Sequence, residues 1–401
     1  MIAVGGLLAA ATADAEALLW VKNERPTTQA EQIRQALSEA EVHGLSSASY
    51  RSVLSNSELQ SVERGRADAQ LLTRYDSDLS TLTSRFVTHL RHGRVSPRAA
   101  GVDLPAPTTG SDTAAIQRLA AAKSVDAELA LLEPRPLPYR LLKQALARYR
   151  RLAEDQTIQP LPPPADRVVR VGDEYSAAIQ LRRQLALLGD MAAAESANPS
   201  AVLDPPLAEA LKRFQSRHGL AADGVLGKQT LAALNMPLRH RVRQIELSME
   251  RWRWLGSETR PELVINIPQF MLYALPRATQ PGEQMLEMPV IVGRPKNRTP
   301  VFTAAIEEVV FNPYWDVPSS IMRNELLPKI RQDVGYLERN HFEIVRGGGD
   351  DARVQPPTQA TIDALAAGQF RLRQRPGPDN ALGPVKFVLP NDYTVRLHGT
   401  A

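Results

Sequence analysis

The spacing of the hydrophobic residues changes near residue 260, and this change most constrains what the chain can fold into. Before that point, apolar residues recur every three to four positions, as on one face of an α-helix. After it, they alternate with polar residues over short runs, as in half-buried β-strands. A chain of 401 residues is also too long for one compact core. The sequence therefore predicts a multidomain α+β protein, helical first and mostly β afterwards.

Composition excludes several classes of function. The net charge of +4 comes from 48 basic and 44 acidic residues mixed along the chain. No basic block is interleaved with aromatic residues, so we expect no nucleic-acid partner. The sequence contains no cysteine, which excludes disulfides and thiolate metal sites within these residues. His89 and His92 have a spacing that metals use, but no third ligand accompanies them. We interpret both as exposed helix histidines and expect no metal and no cofactor.

The first 15 residues resemble part of a secretory signal. An apolar run from Ile2 to Ala11 precedes Ala13-Asp14-Ala15, a small-x-small cleavage site, but no basic segment precedes the run. An apolar first helix of the fold is the equal alternative. The run is about half the ~20 residues of a membrane span. We therefore expect membrane attachment only through such a signal or anchor.

Residues 20–155 are predicted to form a helical scaffold domain. Thr28 and Glu31 have the spacing of a capping box, and Gly44 is predicted to end the helix that follows. Two further apolar rows have helical spacing: Leu71, Leu72, Leu79, Leu82 and Phe86, then Leu141, Leu142, Leu146 and Tyr149. No pattern in this region suggests catalysis.

A second helical module is predicted from 165 to 236, after the proline-rich linker 159–167. Its helices are predicted to be capped by Ser176, to start at Asp204-Pro205, and to lie within "ADGVLGKQTLAALN". That last stretch lacks the spacing of a phosphate loop. The strings "LRRQLALLGDM" and "LKRFQSRHGLAADGVLGKQTLAALN" resemble the peptidoglycan-binding type 1 domain, which implies the cell-wall glycan as a partner. A generic small helical bundle is the alternative.

A further helix is predicted in "RVRQIELSMERWRWL", where Val242, Ile245, Met249 and Trp252 share one face. Trp252 and Trp254 could stack on a sugar, but we favour packing of the helix against a neighbouring element.

Six runs of period two then predict strands: "ELVINI" (262–267), "QFMLYAL" (269–275), "MLEMPVIV" (285–292), "AIEEVVFN" (305–312), "VKFVL" (385–389) and "YTVRLH" (393–398). A long insertion, about 318–383, separates the fourth run from the fifth. It contains a predicted helix in "SSIMRNELLPKI" and the Pro/Gly-rich "RPGPDNALG". It is long enough to form a lid over a site.

The strings "MPVIVGRPKNRTPVF", "VVFNPYWDVPSSIMRNELLPKI" and "RQRPGPDNALGPVKFVLPNDYTVRLHGT" look like the catalytic domain of the L,D-transpeptidases (YkuD type), here 237–401. The resemblance covers about 20–401 and is to the large periplasmic group. It implies a β-sandwich, a location in the periplasm or cell envelope, and cross-linking of peptidoglycan stem peptides by acyl transfer through a cysteine thioester. Cell-wall synthesis proteins are implied as further partners.

His398 is the strongest catalytic candidate. In a period-two strand, Thr394, Arg396 and His398 point to one face, opposite Tyr393, Val395 and Leu397. A histidine beside a glycine at a strand end can serve as general base and acid. His398-Gly399 also matches the family's His-Gly motif, whereas the Ser-x-Gly-Cys-x-Arg-type motif that follows in the family is absent. A positioned base raises the reaction rate roughly 10²–10⁴-fold, whereas loss of the nucleophile lowers turnover by a factor of about 10⁶. We therefore expect this chain to be inactive, with no takeover by Thr400, Ser319 or Ser320.

The resemblance also suggests substrate contacts: Asn312, Tyr314 and Trp315 at the mouth of the sandwich, Asn380 and Lys386 near the lid, and Arg294 for a stem carboxylate. A non-catalytic peptidoglycan-binding or scaffold protein is the alternative from another class. A hydrolase that uses His398 with a metal is weaker, because no further ligands have suitable spacing.

A β-sandwich without a terminal strand exposes an edge of unpaired backbone groups. We therefore predict that limited proteolysis of this polypeptide cleaves the catalytic domain well before the middle helical module. Equal resistance of the two regions would contradict the prediction.

Overall fold

The computed structural model describes residues 18–102, 104, 112–155, 157–166, 168–256, 261–275 and 284–399. The signal-like run at the N-terminus and Thr400 lie outside these residues. The chain divides into two compact units, residues 1–292 and 293–401. None of the helices described here combines the length and hydropathy needed to cross a bilayer.

The first unit begins with a helical scaffold around one apolar core, which contains Trp20, Ile33, Tyr75 and Phe86. Among the described residues, its main elements are a two-stranded hairpin and six α-helices: β1 (Val21–Lys22), β2 (Arg25–Pro26), α1 (Thr28–Ser38), α2 (Asn56–Glu63), α3 (Ala69–His92), α4 (Asp112–Ala121), α5 (Val125–Leu132) and α6 (Leu137–Glu154).

Several local details differ from the sequence-based expectation. The N-cap of α1 is Thr27, whose hydroxyl accepts a hydrogen bond from the Ala30 amide, so the cap lies one residue before Thr28. Leu141, which the sequence places in an apolar row of a helix, is 49% exposed and does not belong to the core. His89 and His92 are half-buried rather than exposed, because elements outside α3 also cover this helix. His89 Nδ1 lies 2.8 Å from the Tyr50 hydroxyl.

The predicted middle module is helical, and its helices pack around Leu181, Leu211 and Phe214. They are α7 (Ala178–Leu188), the short α8 (Ala193–Ser196), α9 (Pro205–Arg217) and α10 (Lys228–Leu234). Asp204 caps α9 as predicted. Ser176 does not cap α7, since the residue at its N-cap is Ala177.

The proline-rich linker is docked on this module. Leu161 is buried, and its backbone N–H and C=O both bond to the side-chain amide of Asn235, each at 2.8 Å. The Tyr175 hydroxyl donates to the Pro162 carbonyl at 2.6 Å. These contacts hold segment 159–164 on the module, although its composition predicts a free extended linker.

Helix α11 (Leu238–Arg253) packs against α6 through Met249, Tyr139 and Leu146. The indole of Trp254 is buried and donates to the Val95 carbonyl at 2.7 Å. Trp252 packs against the same cluster. The packing interpretation of the two tryptophans is therefore confirmed.

A buried carboxylate, Glu133, joins α6 to the scaffold. It lies 2.7 Å from His43 Nδ1 and 2.7 Å from the Lys143 ammonium, and Tyr139 donates its hydroxyl at 3.3 Å. Burial acts to raise the pKa of Glu133, but the hydrogen bond from His43 and the charge of Lys143 outweigh it and hold the pKa below its usual value. The ionised form therefore stabilises the fold.

The remaining strands lie in three sheets. The first unit ends with β3 (Leu263–Asn266), β4 (Met271–Ala274) and β5 (Leu286–Pro289), in the order β3-β4-β5. In the second unit, β6 (Glu308–Phe311), β11 (Val385–Val388) and β12 (Leu397–His398) form the sheet β12-β11-β6. Five predicted strands are confirmed, whereas "YTVRLH" is extended only at its last two residues.

The insertion has a hydrophobic core of its own, around Ile330, Ile344, Leu365 and Leu372. Its helices are α12 (Ser319–Ile321), which continues through a π-helical turn into α13 (Leu327–Gln332), then α14 (Tyr336–Arg339) and α15 (Gln359–Ala366). Its sheet has the order β7-β10-β8-β9, with β7 (Trp315–Asp316), β8 (Phe342–Arg346), β9 (Arg353–Gln355) and β10 (Arg371–Gln374). It is therefore a folded α+β subdomain.

Glu133→Gln is expected to lower the free energy of unfolding of the scaffold by about 1–3 kcal/mol at pH 7, because it removes a buried charge that the hydrogen bond from His43 and the ammonium of Lys143 stabilise. A carboxylate whose pKa is lowered by folding stabilises the protein fully above its unfolded pKa, near 4.5. This stabilisation is lost as pH falls through the pKa of the folded state. The difference between the two proteins should therefore begin to shrink below pH 4.5 and disappear only below the pKa of folded Glu133.

Urea unfolding followed by far-UV circular dichroism across this pH range checks the prediction. Glu154→Gln, at an exposed position of the same helix α6, is the matched control and should leave the unfolding curve unchanged. A Glu133→Gln effect that persists undiminished in acid would contradict the assignment.

Candidate active site

The candidate site lies on one face of the sheet β12-β11-β6. His398 is directly opposite Lys386 in the pairing of β12 with β11, and Lys386 is opposite Val310 in the pairing of β11 with β6. Directly opposed residues of antiparallel strands project to the same face. His398, Lys386 and Val310 therefore form a row across the sheet, and all three are half-buried.

The imidazole of His398 is oriented by its neighbouring peptide. Its Nδ1 lies 2.5 Å from the Gly399 carbonyl oxygen. A carbonyl only accepts hydrogen bonds, so Nδ1 carries the proton and Nε2 of the neutral ring has a free lone pair. This tautomer is the one a general base needs when it takes a proton through Nε2.

Gly399 allows a close backbone approach. The Gly399 amide donates to the Val385 carbonyl at 3.0 Å, which docks the end of β12 on β11. Gly383 has φ +62°, and a Cβ placed on it would lie 3.0 Å from the Cα of Gly399. Glycine at both positions therefore lets the loop before β11 touch the residue that orients His398.

Asn380 holds this loop in place. It is 1% exposed, and its amide nitrogen donates to the carbonyls of Pro313 (3.2 Å) and Arg375 (2.9 Å). Its amide oxygen accepts from the Leu382 amide at 2.8 Å. The expectation that Asn380 contacts substrate is wrong, because backbone groups occupy both ends of its buried side chain.

A second buried amide, which the sequence analysis missed, supports the same loop. Gln374 donates to the carbonyls of Asn340 and Asp379 at 3.1 and 3.0 Å, and its oxygen accepts from the Ala381 amide at 3.0 Å. The sequence feature that could have indicated Gln374 is the alternation in "RLRQ", because it places Gln374 on the same buried face as Leu372.

Tyr314 belongs to an aromatic–guanidinium stack. The guanidinium carbon of Arg373 lies 4.1 Å from the centre of the Tyr314 ring, and Arg373 Nε donates to Glu343 at 3.0 Å. Tyr314 is 46% exposed and follows Pro313, which Asn380 anchors. Arg373 was also missed, although its alternation with buried Leu372 places it on the opposite face.

The other expected contacts are more dispersed. Asn312 is exposed at the end of β6, with φ +48°, and its amide donates to the Pro384 carbonyl at 2.8 Å. Trp315 packs against Phe342 in the core of the insertion, with ring centres 6.2 Å apart, so packing accounts for its position. Arg294 is exposed in the turn that precedes Asn297.

The expected alternation along 393–398 does not hold, because Thr394 has φ +55° and interrupts the strand. The side chain of Asn391 organises the turn instead, by accepting from the Tyr393 and Val395 amides. Within the described ranges, no three histidine, cysteine or acidic side chains converge in a way that could hold a metal ion.

Comparison with known proteins assigns family domains to three parts of the chain. Residues 260–401 match the family model described as "L,D-transpeptidase catalytic domain". Residues 12–146 match "Scaffold domain", and 174–234 match "Putative peptidoglycan binding domain". By this similarity, the C-terminal part of the chain is an L,D-transpeptidase catalytic domain, accompanied by a scaffold domain and a putative peptidoglycan-binding domain. The expected helical scaffold, peptidoglycan-binding module and β-rich catalytic domain are thereby confirmed.

A curated relative supports the family. A protein of Haemophilus influenzae named "Putative L,D-transpeptidase" is 29% identical over 186 residues. The match covers 45% of this chain and 36% of the relative, so it spans little more than a third of that protein. In this catalytic domain, the His-Gly pair lies at the sheet edge where the glycine carbonyl orients the ring.

Gly383→Ala is expected to loosen the edge that carries His398, because the new methyl group would press on Gly399. Hydrogen exchange of the Gly399 amide should accelerate by about tenfold or more, equivalent to roughly 1–3 kcal/mol of steric strain. NMR-detected exchange of this amide is the measurement.

Gly349→Ala is the matched control. Gly349 has a similar φ of +59°, but nothing lies within 4 Å of a Cβ placed on it. Gly349→Ala should lower stability only through the strain of a left-handed backbone at alanine. Hydrogen exchange of the Gly399 amide should therefore stay unchanged. Equal acceleration by both substitutions would disprove the close-approach argument.

Proposed function

We propose that this protein acts on peptidoglycan stem peptides by acyl transfer, with His398 as the general base. The observation that carries the proposal is the 2.5 Å contact between His398 Nδ1 and the Gly399 carbonyl, which leaves Nε2 free to accept a proton. The match to the L,D-transpeptidase catalytic domain provides the reaction class. The peptidoglycan-binding module provides the substrate class.

The proposed chemistry has two half-reactions. Nε2 of His398 takes the proton of a thiol, and the sulfur attacks the carbonyl carbon of the scissile amide. As the C–N bond breaks, the imidazolium returns the proton to the leaving amine, and a thioester remains. An amine from a neighbouring stem then attacks the thioester, and His398 takes the proton of that amine. As the C–S bond breaks, the imidazolium gives this proton to the departing sulfur, which leaves as the thiol.

These 401 residues contain no cysteine, so they do not supply the thiol. A positioned base contributes roughly 10²–10⁴-fold, which is less than the factor of about 10⁶ that a nucleophile contributes in comparable enzymes. We therefore propose that the 401-residue polypeptide binds peptidoglycan but does not complete the transfer. We place it at the cell envelope, in the periplasm, because both of its peptidoglycan-related domains have their ligand there.

A second function is a non-catalytic peptidoglycan-binding scaffold. The specific observation in its favour is again the absence of cysteine beside a fully formed peptidoglycan-binding module. Under this alternative, His398 stabilises the sheet edge through its backbone contact and transfers no proton. Acylation experiments separate the two functions.

Intact-mass spectrometry after incubation with a carbapenem tests the proposal, because carbapenems acylate a reactive thiol. We expect no adduct on the 401-residue polypeptide. The same chain extended by a Ser-x-Gly-Cys-x-Arg segment should become acylated, and His398→Gln in that extended chain should slow acylation by roughly 10²–10⁴-fold.

Lys296→Met, in an exposed turn of the same unit, is the control and should acylate at the rate of the extended chain. An extended chain that never becomes acylated, or one in which His398→Gln has no effect, would favour the scaffold function.

A further inference from the structure

We propose that a surface cavity of the scaffold domain binds an acidic saccharide, a sugar ring that carries a carboxylate. The cavity has a volume of about 540 Å³, which lies within the range of about 300–1,000 Å³ that is usual for small-molecule sites. It belongs to the first unit, whereas His398 belongs to the second. The saccharide is therefore a ligand in addition to the peptide substrate of the proposed function.

Helix α3 provides most of the lining of the cavity. Ile116, on α4, lies opposite this helix in the cavity wall. Ser80 and Thr88, the outermost hydroxyls of α3 in the cavity, are eight residues apart, which corresponds to about 12 Å along a helix. The lining is therefore long enough to contact several polar groups of one ligand. The residues that α3 contributes are the following: Ser80, Thr81, Ser84, Arg85, Thr88 and His89.

The hydroxyl groups of the lining offer both donors and acceptors. Ser80 accepts a hydrogen bond from the indole N–H of Trp20 at 2.9 Å, so its own proton is available to a ligand. The Ser84 hydroxyl forms no hydrogen bond within the part of the chain that the structure describes. Thr81 and Thr88 each donate to the carbonyl four residues earlier, at 2.8 and 2.9 Å, and keep lone pairs that can accept. Sugar hydroxyls also donate and accept, so this lining suits a saccharide better than a simple anion, which only accepts.

Arg85 provides a positive charge at the cavity. Its side chain is exposed, and its guanidinium donates to the Ser49 carbonyl at 3.2 Å. Among the described residues, no acidic side chain forms an ion pair with it. A carboxylate on the sugar can accept from the remaining N–H groups, and such charge-assisted hydrogen bonds are stronger than neutral ones.

His89 lies in a positive environment that also favours an anionic group. Its Nδ1 is 2.8 Å from the Tyr50 hydroxyl, whereas its Nε2 has no hydrogen-bond partner within the described ranges. Burial is the main cause that lowers the pKa of His89, and the charges of three arginines, among them Arg94 and Arg85, lower it further. Glu250 acts in the opposite direction. Because three cations act against one carboxylate, the local potential is positive.

Ile116 gives the cavity an apolar wall and is half-buried. The C–H groups of a sugar ring can pack on such a side chain while the sugar hydroxyls bond to α3. N-Acetylmuramic acid, a sugar of peptidoglycan, combines a ring of this kind with a carboxylate. It is the probe of choice because the chain also contains a putative peptidoglycan-binding domain. This choice rests on the proposed location at the cell envelope.

Methyl NMR on the full 401-residue chain tests the inference. The reporter is the δ1 methyl group of Ile116, whose signal is assigned with Ile116→Val. The probes are N-acetylmuramic acid, N-acetylglucosamine (the same ring without the lactyl carboxylate), D-lactate (the carboxylate without the ring) and inorganic phosphate. We expect N-acetylmuramic acid to shift the Ile116 signal with an affinity at least about tenfold higher than that of each other probe, because only this probe combines neutral hydrogen bonds with a charge-assisted one.

Arg85→Gln removes the charge and should lower the affinity for N-acetylmuramic acid about tenfold, while the affinity for N-acetylglucosamine stays unchanged. Ser84→Ala removes one neutral hydrogen bond and should weaken binding of both sugars by about two- to tenfold. Arg140→Gln, at an exposed position of α6 outside the cavity, is the matched control and should behave like the starting protein.

Two further methyl groups serve as internal references. The δ1 methyl signal of Ile33, in the scaffold core, should be the same in all variants, which shows that the domain remains folded. Ile179 is 51% exposed on α7, so its δ1 methyl group reports separately on binding to the middle module.

The inference is overturned if N-acetylmuramic acid leaves the Ile116 signal in place, if N-acetylglucosamine binds there equally well, or if Arg85→Gln keeps the preference for the acid. D-Lactate or phosphate that binds as tightly as N-acetylmuramic acid would show a plain anion site and would overturn it as well. The acylation assay depends on His398 and a thiol, whereas this assay depends on the scaffold domain. Failure of one is therefore distinguishable from failure of the other.

Discussion

The buried amide of Asn380 is the contact on which the arrangement of the candidate site depends. It bonds to Pro313, in the connection from β6 to β7, and to Arg375 and Leu382, in the connection from β10 to β11. Both connections join the folded insertion to the sheet that carries His398. A buried amide must satisfy its polar atoms within the protein, so this side chain ties the two connections together at one point.

The imidazole of His398, the proposed base, is positioned by backbone groups. The Gly399 carbonyl sets the tautomer of His398, and the Gly399 amide docks the strand end on Val385. Gly383 makes room for this approach because it has no side chain. Such a site depends on the path of the chain more than on neighbouring side chains. The insertion, which has its own core, contributes by fixing that path through Asn380 and Gln374.

Much of the fold could be read from local patterns. The period of the apolar residues predicts the scaffold helices and five of the six proposed strands. His398 could be proposed as the catalytic histidine from its strand end and from the His-Gly motif. Asn380 was misassigned because an amide in a Pro/Gly-rich loop has no periodicity to show whether it faces solvent or a buried turn. The interruption of the last predicted strand at Thr394 could not be foreseen, because an alternating pattern of apolar and polar residues does not show which residue has a positive φ.

The sequence by itself determined the order and class of the domains, the buried faces of most helices, and the types of side chain at the site. Those properties depend on contacts between residues a few positions apart. Only the tertiary structure decided that His398 is opposite Lys386, that Gly383 meets Gly399, and that Asn380 is buried. These depend on strand register and on loops brought together from distant parts of the chain, and no local pattern encodes a distance between such segments.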